Sequence, residues 1–264
     1  MRQKDELAFA AAKFDAIEIN GTFYSLQRPE DFKAWAAAVP ADFVFAVKGP
    51  RYITHMLKLR NVERPLANFC ANGLLALGPK LGPILWQLPP NFRFDAQKLD
   101  AFFRLLPRDT QTAARLARRH DHRADGRTTF AIDRNRRIRH AIEIRHDSFR
   151  TPDFIALLRK HRVALVCADT VDWPRLMDLT ADFVYCRLHG SEELYVSGYD
   201  EAALRGWARL ISAWAKGEDP KRGQHVSRGP AAKRSRRDVF VFFDNDAKVR
   251  APFDADRLKA LVGM

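Results

Sequence analysis

The chain has 264 residues, of which 47% are hydrophobic and 29% are charged. This length is enough for one large buried core, and the apolar runs are only strand-length, which excludes a membrane-spanning helix of about 20 apolar residues. The net charge of +13 is concentrated in residues 115–139, with nine Arg against three Asp, and in residues 216–237, with eight Lys or Arg against two acids.

Seven short runs of β-branched or aromatic residues predict β-strands. In chain order they are residues 16–20, 43–48, 83–88, 140–145, 164–169, 183–189 and 239–244. Between most of them, apolar residues recur at helical spacing. The predicted helix starts lie at Pro29, Asp95, Thr151, Asp200 and Asp254. Strands that alternate with helices predict an α/β fold with a parallel sheet.

Polar residues inside these strands favour a closed barrel over an open sheet. Residues two positions apart in a strand point to the same face. Polar pairs with this spacing are Glu18 and Asn20, Glu143 and Arg145, and Arg187 and His189. In an open sheet covered by helices such charges would be buried without water. In a barrel they face the interior, whose carboxyl end collects binding and catalytic groups. The pattern therefore predicts a TIM-type (β/α) barrel.

Ordered motifs along the chain carry a family resemblance. They are Ile-Glu-Ile-Asn-Gly-Thr-Phe-Tyr at 17–24, Phe-Ala-Val-Lys-Gly-Pro-Arg-Tyr-Ile-Thr-His at 45–55, Leu-Trp-Gln-Leu-Pro-Pro at 85–90, Glu-Ile-Arg-His at 143–146, Arg-Leu-His-Gly at 187–190 and Phe-Phe-Asp-Asn-Asp at 242–246. In these motifs the chain resembles the YecE-like family, a group of TIM-barrel proteins labelled as a domain of unknown function. The resemblance implies a barrel and supplies no reaction.

The resemblance also sets an expectation for the domain organisation. We expect one barrel domain over residues 1–264, with basic insertions at about 115–139 and 216–237. Members of the family usually open with a strand around Gly-Thr-Ser-Gly-Trp, whereas only seven strands are recognisable here. The hypothesis is that the family's first strand is missing because the start is truncated or misassigned.

Polar groups at the predicted strand ends form the candidate site. The catalytic candidates are Glu18, Glu143, Asp169 and His189. The substrate-binding candidates are Asn20, Tyr24, Lys48, Arg51, Gln87, Arg145, His146, Arg187, Tyr199, Asp244 and Asn245. Lys48, Arg145 and Arg187 would hold an anion. Glu18 and Glu143 would carry protons, provided that burial raises at least one carboxyl pKa. His189, Asp169 and Asp244 would orient these groups.

The favoured function is an enzyme, a hydrolase or an isomerase or lyase, that applies acid/base chemistry to a small anionic or sugar-phosphate-like substrate. No metal ligands are assigned and the cofactor is unknown. A divalent metal is disfavoured by the cations Lys48 and Arg187 in the same ring, although carboxylates and a histidine could bind one. The alternative is a protein that binds or processes nucleic acid through the Arg-rich loops 115–139 and 216–237. A non-catalytic barrel, whose charges neutralise one another, also fits the sequence.

The amino terminus and the cysteines indicate the compartment. The first residues place acids where a signal peptide needs a basic region and an apolar run. Cys70, Cys167 and Cys186 are odd in number and lack a Cys-x-x-Cys pair, which favours reduced packing residues. We expect a cytoplasmic protein without a membrane partner, and the sequence does not specify its oligomeric state.

Overall fold

The computed structural model describes residues 3–190, 198–220, 223–227, 229–245 and 250–263. Asp246, the last residue of the 242–246 motif, lies outside these ranges, as do Lys221, Arg222 and Arg228 of the second basic segment. The chain divides into two compact units. The first comprises Met1–Gln87 and Gln97–His140, and the second comprises Leu88–Ala96 and Ala141–Met264. Within the described ranges, no helix is long and apolar enough to cross a membrane.

The first unit contains three strands that pair in parallel and in chain order, namely β1 (Ala16–Ile19), β2 (Val44–Lys48) and β3 (Leu81–Gln87). The helices of this part of the chain are α1 (Gln3–Ala11), α2 (Gly21–Tyr24), α3 (Pro29–Ala37), α4 (Glu63–Ala71), α5 (Ala96–Leu105) and α6 (Thr110–Ala117). A π-helix spans Tyr52–Met56, and 3-10 helices span Leu74–Lys80 and His122–Ala124. The register places Glu18 opposite Ala46 and Lys48 opposite Leu85.

Trp86 is a core residue of the first unit, and it contacts a buried histidine. The indole packs edge-on against Phe102, and its Nε1 donates a hydrogen bond to His140 Nδ1 at 3.2 Å. The other imidazole nitrogen, His140 Nε2, lies 2.8 Å from Pro107 O. Because Nδ1 accepts, Nε2 must carry the proton, and the ring is neutral. Burial lowers the pKa of His140 to about 3.

Four parallel strands follow in chain order, which are β4 (His140–Glu143), β5 (Ala164–Asp169), β6 (Phe183–Leu188) and β7 (Asp238–Phe243), and all but the first residue of β4 belong to the second unit. Its α-helices are α7 (Pro152–His161), α8 (Glu201–Ala215) and α9 (Ala251–Val262), and a 3-10 helix spans Asp147–Phe149. The register pairs Cys167 with Cys186 and Arg187 with Phe242. All seven predicted strands are thus confirmed, and their ends differ from the prediction by at most two residues.

Most of the predicted helix starts are also confirmed. Thr151 and Asp200 are N-caps whose side chains accept backbone N–H groups, and Pro29 is the first residue of α3. The prediction that Asp254 precedes a helix was wrong. Helix α9 begins at Ala251, so Asp254 lies in its first turn, where it is buried.

The cap of α8 yields a prediction for stability. The Asp200 carboxylate accepts a hydrogen bond from Ala203 N at 2.7 Å. We expect Asp200→Ala to lower the free energy of unfolding by about 1 kcal/mol, because an N–H of the first turn loses its acceptor. Asp200→Asn keeps an acceptor oxygen and should retain most of this stability. Urea titrations of both variants provide the measurement, and equal losses would show that the cap is not the cause.

The first basic segment, residues 115–139, is attached to the first unit. Thr129 N donates to Ala71 O at 2.8 Å, and Ile138 N donates to Arg108 O at 2.9 Å. These backbone hydrogen bonds hold the segment against the body of the unit.

The second basic segment, residues 216–237, is attached to the second unit through its described residues. The Asp178 carboxylate accepts hydrogen bonds from Val226 N and Ser227 N, each at 3.0 Å. The Arg237 guanidinium donates to the carbonyl oxygens of Glu218 and Ala232. Both segments are therefore built into the fold over their described lengths.

Candidate functional site

Five of the predicted site residues lie together at the carboxyl ends of three strands in the second unit. We call them the Glu143 cluster, and its members are Glu143, Arg145, Arg187, His189 and Asp244. Glu143 ends β4 and Arg187 lies in β6, whereas His189 and Asp244 directly follow their strands and Arg145 lies two residues after the end of β4. On the same face of the sheet, one step closer to the amino ends of the strands, two aromatic side chains pack together. They are Tyr185 and Phe242, whose ring centroids are 5.1 Å apart.

Glu143 is the centre of this cluster. Its Oε1 accepts a hydrogen bond from Arg145 Nε at 2.7 Å, and its Oε2 accepts one from Arg187 Nη1 at 2.7 Å. A second arm of the Arg187 guanidinium, Nη2, donates to Asp244 Oδ2 at 2.8 Å. His189 lies between the two carboxylates, with Nδ1 3.1 Å from Asp244 Oδ2 and Nε2 3.7 Å from Glu143 Oε2.

The charges of the cluster control one another. Burial by itself would raise the pKa of Glu143, but Arg187, Arg145 and His189 hold it well below its usual range. Burial likewise opposes ionisation of Asp244, yet His189 and Arg187 lower its pKa. Burial also opposes charging of His189, but the carboxylates of Asp244 and Glu143 outweigh it and raise the pKa of the imidazole. The cluster therefore keeps two carboxylates ionised and favours a protonated imidazole.

Two members of the cluster are partly exposed to solvent. The side chains of Glu143, Arg187 and His189 are at most 1% exposed, whereas those of Arg145 and Asp244 are 11% and 25% exposed. A ligand from solvent therefore meets a guanidinium and a carboxylate first, and the imidazole lies directly behind that carboxylate.

Trp173, which follows β5, forms a wall of the cluster. The Arg145 guanidinium carbon lies 4.1 Å from the centroid of the indole ring, and the His189 ring is 5.5 Å away at an interplanar angle of 76°. Both contacts are favourable when the histidine or arginine carries positive charge.

The structure places Asp169 in a different neighbourhood from the expected one. Asp169 has the same parity as Cys167 in β5 and so projects from the face that packs on α8. There its carboxylate accepts a hydrogen bond from Trp207 Nε1 at 3.1 Å and pairs with Arg175 Nη1 at 2.6 Å. Asp169 therefore fixes the helix and the following loop, and its predicted role as a catalytic candidate that orients the groups of the cluster is not supported.

Tyr199 and Asn245, two predicted binding residues, are buried and serve a common anchor. The anchor is Asp254, whose Oδ2 accepts hydrogen bonds from Tyr199 N at 3.1 Å and from Asn245 Nδ2 at 3.0 Å. The Tyr199 hydroxyl accepts a hydrogen bond from Gly190 N at 3.2 Å, directly behind His189. Burial raises the pKa of the phenol well above its usual value. Tyr199 and Asn245 therefore hold the strand ends in place, and their predicted role as substrate-binding residues is not supported.

His146 takes a local structural position. Its Nδ1 accepts a hydrogen bond from Ser148 N at 3.0 Å and so caps the 3-10 helix at Asp147–Phe149. The same nitrogen lies 3.0 Å from Ser148 Oγ. This side chain is therefore committed to its own loop.

The remaining candidates belong to the first unit, and they are Glu18, Asn20, Tyr24, Lys48, Arg51 and Gln87. Side chains point alternately to the two faces along a strand. The pairing of β1, β2 and β3 therefore places the side chains of Glu18, Lys48 and Gln87 on one face of the sheet. The Lys48 ammonium lies 4.4 Å from the centroid of the Phe23 ring, and its carbonyl accepts a hydrogen bond from Thr22 Oγ1 at 2.7 Å.

The other first-unit candidates lie on the surface. Asn20, Tyr24 and Arg51 are exposed, and the Tyr24 side chain is among the most exposed large apolar groups. The structure does not bury any of these three as a preformed binding residue.

The sequence reasoning missed Trp173, Arg175 and Asp254. A signal was available for the first two, since both lie in the loop after β5, and loops at strand carboxyl ends carry the site in this type of fold. Asp254 offered no such signal because it resembled an ordinary helix cap. No group of three His, Cys, Asp or Glu side chains in the described part of the chain is arranged to hold a metal ion.

Comparisons with known proteins agree with this architecture. The family model described as "Protein of unknown function DUF72" matches residues 1–264. The UPF0759 protein YecE of Escherichia coli K12 is 33% identical over 82 residues, which are 31% of this chain and 30% of that protein, so the match spans less than a third of the relative's length.

Two crystal structures of DUF72 family proteins have a similar fold. The one from Thermotoga maritima has a TM-score of 0.71 at 20% identity and covers 100% of this chain and 91% of that chain. The one from Enterococcus faecalis has a TM-score of 0.64 at 18% identity and covers 98% and 93%. These structures confirm the predicted fold class, an α/β barrel of the TIM type.

Proposed function

Because the chain belongs to the DUF72 family, whose description states no activity, we propose from the site alone that the protein is an enzyme that transfers a proton to or from a small organic anion. The observation that supports this is the partial exposure of two charged members of the Glu143 cluster: Arg145 and Asp244 reach solvent, and Asp244 lies 3.1 Å from the buried His189. Buried charges are costly unless they are paired or used, and here the paired set still presents two charged groups outward.

The roles differ from those expected from sequence. Glu143 is fully buried and accepts hydrogen bonds from two guanidinium groups, so it does not meet a ligand and is a fixed counter-ion rather than a proton carrier. Arg145 binds the anionic group of the ligand, since guanidinium matches planar oxyanions. His189 holds the proton, and Asp244 passes it between the imidazole and the ligand because it is the exposed member of the pair.

A ligand screen tests this proposal. In a thermal-shift screen of small carboxylates, phosphates and sugar phosphates, we expect at least one anion to raise the melting temperature by several degrees at about 100 times its Kd. Arg145→Gln should abolish this shift. Arg205→Gln removes an exposed guanidinium that is paired with Glu201 in the same unit, and it should leave the shift unchanged. If no anion stabilises the protein, or if Arg145→Gln keeps the full shift, the proposed function is wrong.

A second candidate function is electrostatic binding of nucleic acid by the first basic segment. Backbone hydrogen bonds hold this segment in place, yet many of its arginines are exposed. The exposed ones are Arg115, Arg118, Arg119, Arg123, Arg127, Arg134 and Arg137. An ordered array of exposed guanidinium groups is suited to phosphate contacts.

The salt dependence of oligonucleotide binding checks this second candidate. We expect the logarithm of the affinity to fall linearly with the logarithm of salt concentration, and the combined change of Arg115, Arg127 and Arg134 to Gln should reduce that slope by up to about 3. Arg104→Gln changes an arginine outside the segment and is the control. An affinity that is unaffected by the triple change would exclude the segment as the contact surface.

A further inference from the structure

Two arginines of the first basic segment, Arg118 and Arg123, are each backed by an aromatic ring. The Arg118 guanidinium carbon lies 5.7 Å from the centroid of the Phe130 ring, and that of Arg123 lies 5.6 Å from the centroid of the Tyr52 ring. Both distances are within the range of a cation–π contact, which extends to about 6 Å. Both arginines are exposed, whereas both rings are half-buried. Each guanidinium therefore has a ring on one side and still reaches solvent.

Arg123 is attached to the body of the first unit through its side chain and its backbone. Its Nη1 donates a hydrogen bond to the Tyr52 hydroxyl at 3.2 Å, across 71 positions of the chain. Its backbone N donates to the Asp121 carboxylate at 3.0 Å, and the same carboxylate accepts a hydrogen bond from Asn68 Nδ2 of α4 at 2.9 Å. The 3-10 helix that carries Arg123 is therefore anchored before any ligand binds.

Phe130 contacts two planar groups of the segment. One is the Arg118 guanidinium, whose Nη1 also donates to Ala114 O of α6 at 3.3 Å. The other is the His120 imidazole, whose ring centroid lies 5.7 Å away at an interplanar angle of 32°. Phe130 is the only Phe, Trp or Tyr in residues 115–139, so the second aromatic ring of this surface, Tyr52, is supplied by the fold.

An exposed guanidinium that rests on a ring presents a flat, positively charged face to solvent. Unpaired nucleobases stack on aromatic rings and on the planes of arginine side chains. The two faces of a base within a duplex are covered by its neighbours in the stack. Such a face on the protein is therefore suited to a single strand, whose bases are accessible.

Other arginines of the segment are suited to the phosphates of that strand. Arg115, Arg127 and Arg134 are exposed and contact no aromatic ring in the part of the chain that the structure describes. Nine Arg stand against three Asp in the segment. Two of these acids already face a basic side chain, since Asp133 pairs with Arg136 and Asp125 lies 3.4 Å from the His120 imidazole. The surplus of positive charge favours a polyanion.

We infer that the first basic segment binds single-stranded nucleic acid, with unpaired bases stacked on Arg118 and Arg123 and phosphates on the arginines that lack a ring. This inference rests on the second candidate function and adds the class of nucleic acid. It predicts that affinity depends on the bases as well as on the charge of the strand.

Fluorescence anisotropy of labelled oligonucleotides with the full chain tests the inference. The probes are an oligothymidylate, a strand of abasic sites and a duplex, all of the same length. We expect the oligothymidylate to bind about tenfold more tightly than the abasic strand, because only the former has bases to stack. It should also bind more tightly than the duplex, although the duplex has the higher charge density.

Lysine variants separate stacking from charge, because lysine keeps the positive charge of arginine and lacks its planar group. The double variant Arg118→Lys/Arg123→Lys should bind the oligothymidylate about tenfold more weakly. Its affinity for the abasic strand and the salt dependence of binding should stay close to those of the wild type. Both positions are exposed, so the exchange leaves the core of the unit intact.

Arg60→Lys/Arg104→Lys is the matched control. It makes the same exchange at two exposed arginines of the first unit that lie outside the segment. This variant should bind the oligothymidylate as tightly as the wild type does.

The outcomes separate the inference from the function on which it rests. If the oligothymidylate does not bind, or binds without salt dependence, the second candidate function is wrong. If it binds with salt dependence but the abasic strand or the duplex binds at least as tightly, electrostatic binding stands and the stacking role is overturned. Full affinity in Arg118→Lys/Arg123→Lys, or an equal loss in the control, would overturn it in the same way.

Discussion

Glu143→Gln should lower the free energy of unfolding by about 3–5 kcal/mol, the usual cost of removing one member of a buried ion pair. The carboxylate accepts hydrogen bonds from Arg145 and Arg187, and Arg187 is 1% exposed. A neutral amide in its place leaves a buried guanidinium without full charge compensation. Chemical denaturation at neutral pH, followed by circular dichroism, measures the loss.

Glu201→Gln provides the matched control. Glu201 also pairs with two arginines of the second unit, Arg205 at 2.9 Å and Arg257 at 3.2 Å, but its side chain is half exposed. Exposed pairs contribute about 0–1 kcal/mol, so this change should cost far less. A loss at Glu143 no larger than that at Glu201 would show that the buried cluster does not contribute to stability as an ion-pair network.

A double-mutant cycle separates the ion pair from the general cost of changing a buried site. Arg187→Met removes the cation, and the double variant with Glu143→Gln removes both charges. Because the second change no longer strands a charge, the double variant should be less destabilised than the sum of the single variants. Strict additivity would contradict direct coupling between Glu143 and Arg187.

The strands were predictable because their pattern is local. Runs such as 164–169 combine β-branched and apolar residues over a strand's length, and the structure keeps these bounds. Parity also placed Glu143 and Arg187 correctly, since each has a second polar residue two positions along that defines the face of its strand. The contact between these two side chains spans β5, which lies between β4 and β6 in the sheet.

Asp169 shows where parity gives no information. It is the only polar residue among the side chains of β5, so no second group indicated which face it would occupy. The outcome depends on Trp207, which lies 38 residues away and supplies a hydrogen-bond donor from α8. Such a contact is set by tertiary packing and has no local sequence signature.

Proton affinities were the least predictable property of the site. The expectation that burial would raise a carboxyl pKa was reasonable for an isolated acid. In the structure, two guanidinium groups converge on Glu143 and reverse the direction. Residue types alone do not decide this sign, because it depends on which charges are brought within hydrogen-bond distance of the buried group.

A second large effect is expected from His140, whose neutral ring is buried between Trp86 and Pro107. Burial lowers its pKa from 6.5 to about 3 in the folded protein. The unfolded chain therefore binds a proton below pH 6.5 that the folded protein rejects. Stability must fall as the pH falls through this window, with a limiting slope of about 1.4 kcal/mol per pH unit.

The interval between pH 7 and pH 5 covers the titration of this histidine in the unfolded chain. Glu143 and Asp244 have lowered pKa values, so they contribute stability that is lost only at lower pH, below the ordinary carboxyl range. His189 has a raised pKa, so its contribution is fully present below pH 6.5 and is lost as the pH rises through its folded value. Over this interval His140 should therefore account for a loss of about 2 kcal/mol.

His140→Gln tests the assignment because glutamine has both an acceptor for the Trp86 N–H and a donor for the Pro107 carbonyl. Between pH 7 and pH 5, the free energy of unfolding of this variant should fall by about 2 kcal/mol less than that of the wild type. This difference does not depend on the stability of the variant at neutral pH. His122→Gln, at an exposed position of the same unit, reports the effect of the exchange at the surface. Urea titrations at several pH values measure the slopes, and an unchanged pH profile in His140→Gln would show that this ring is not the group that rejects the proton.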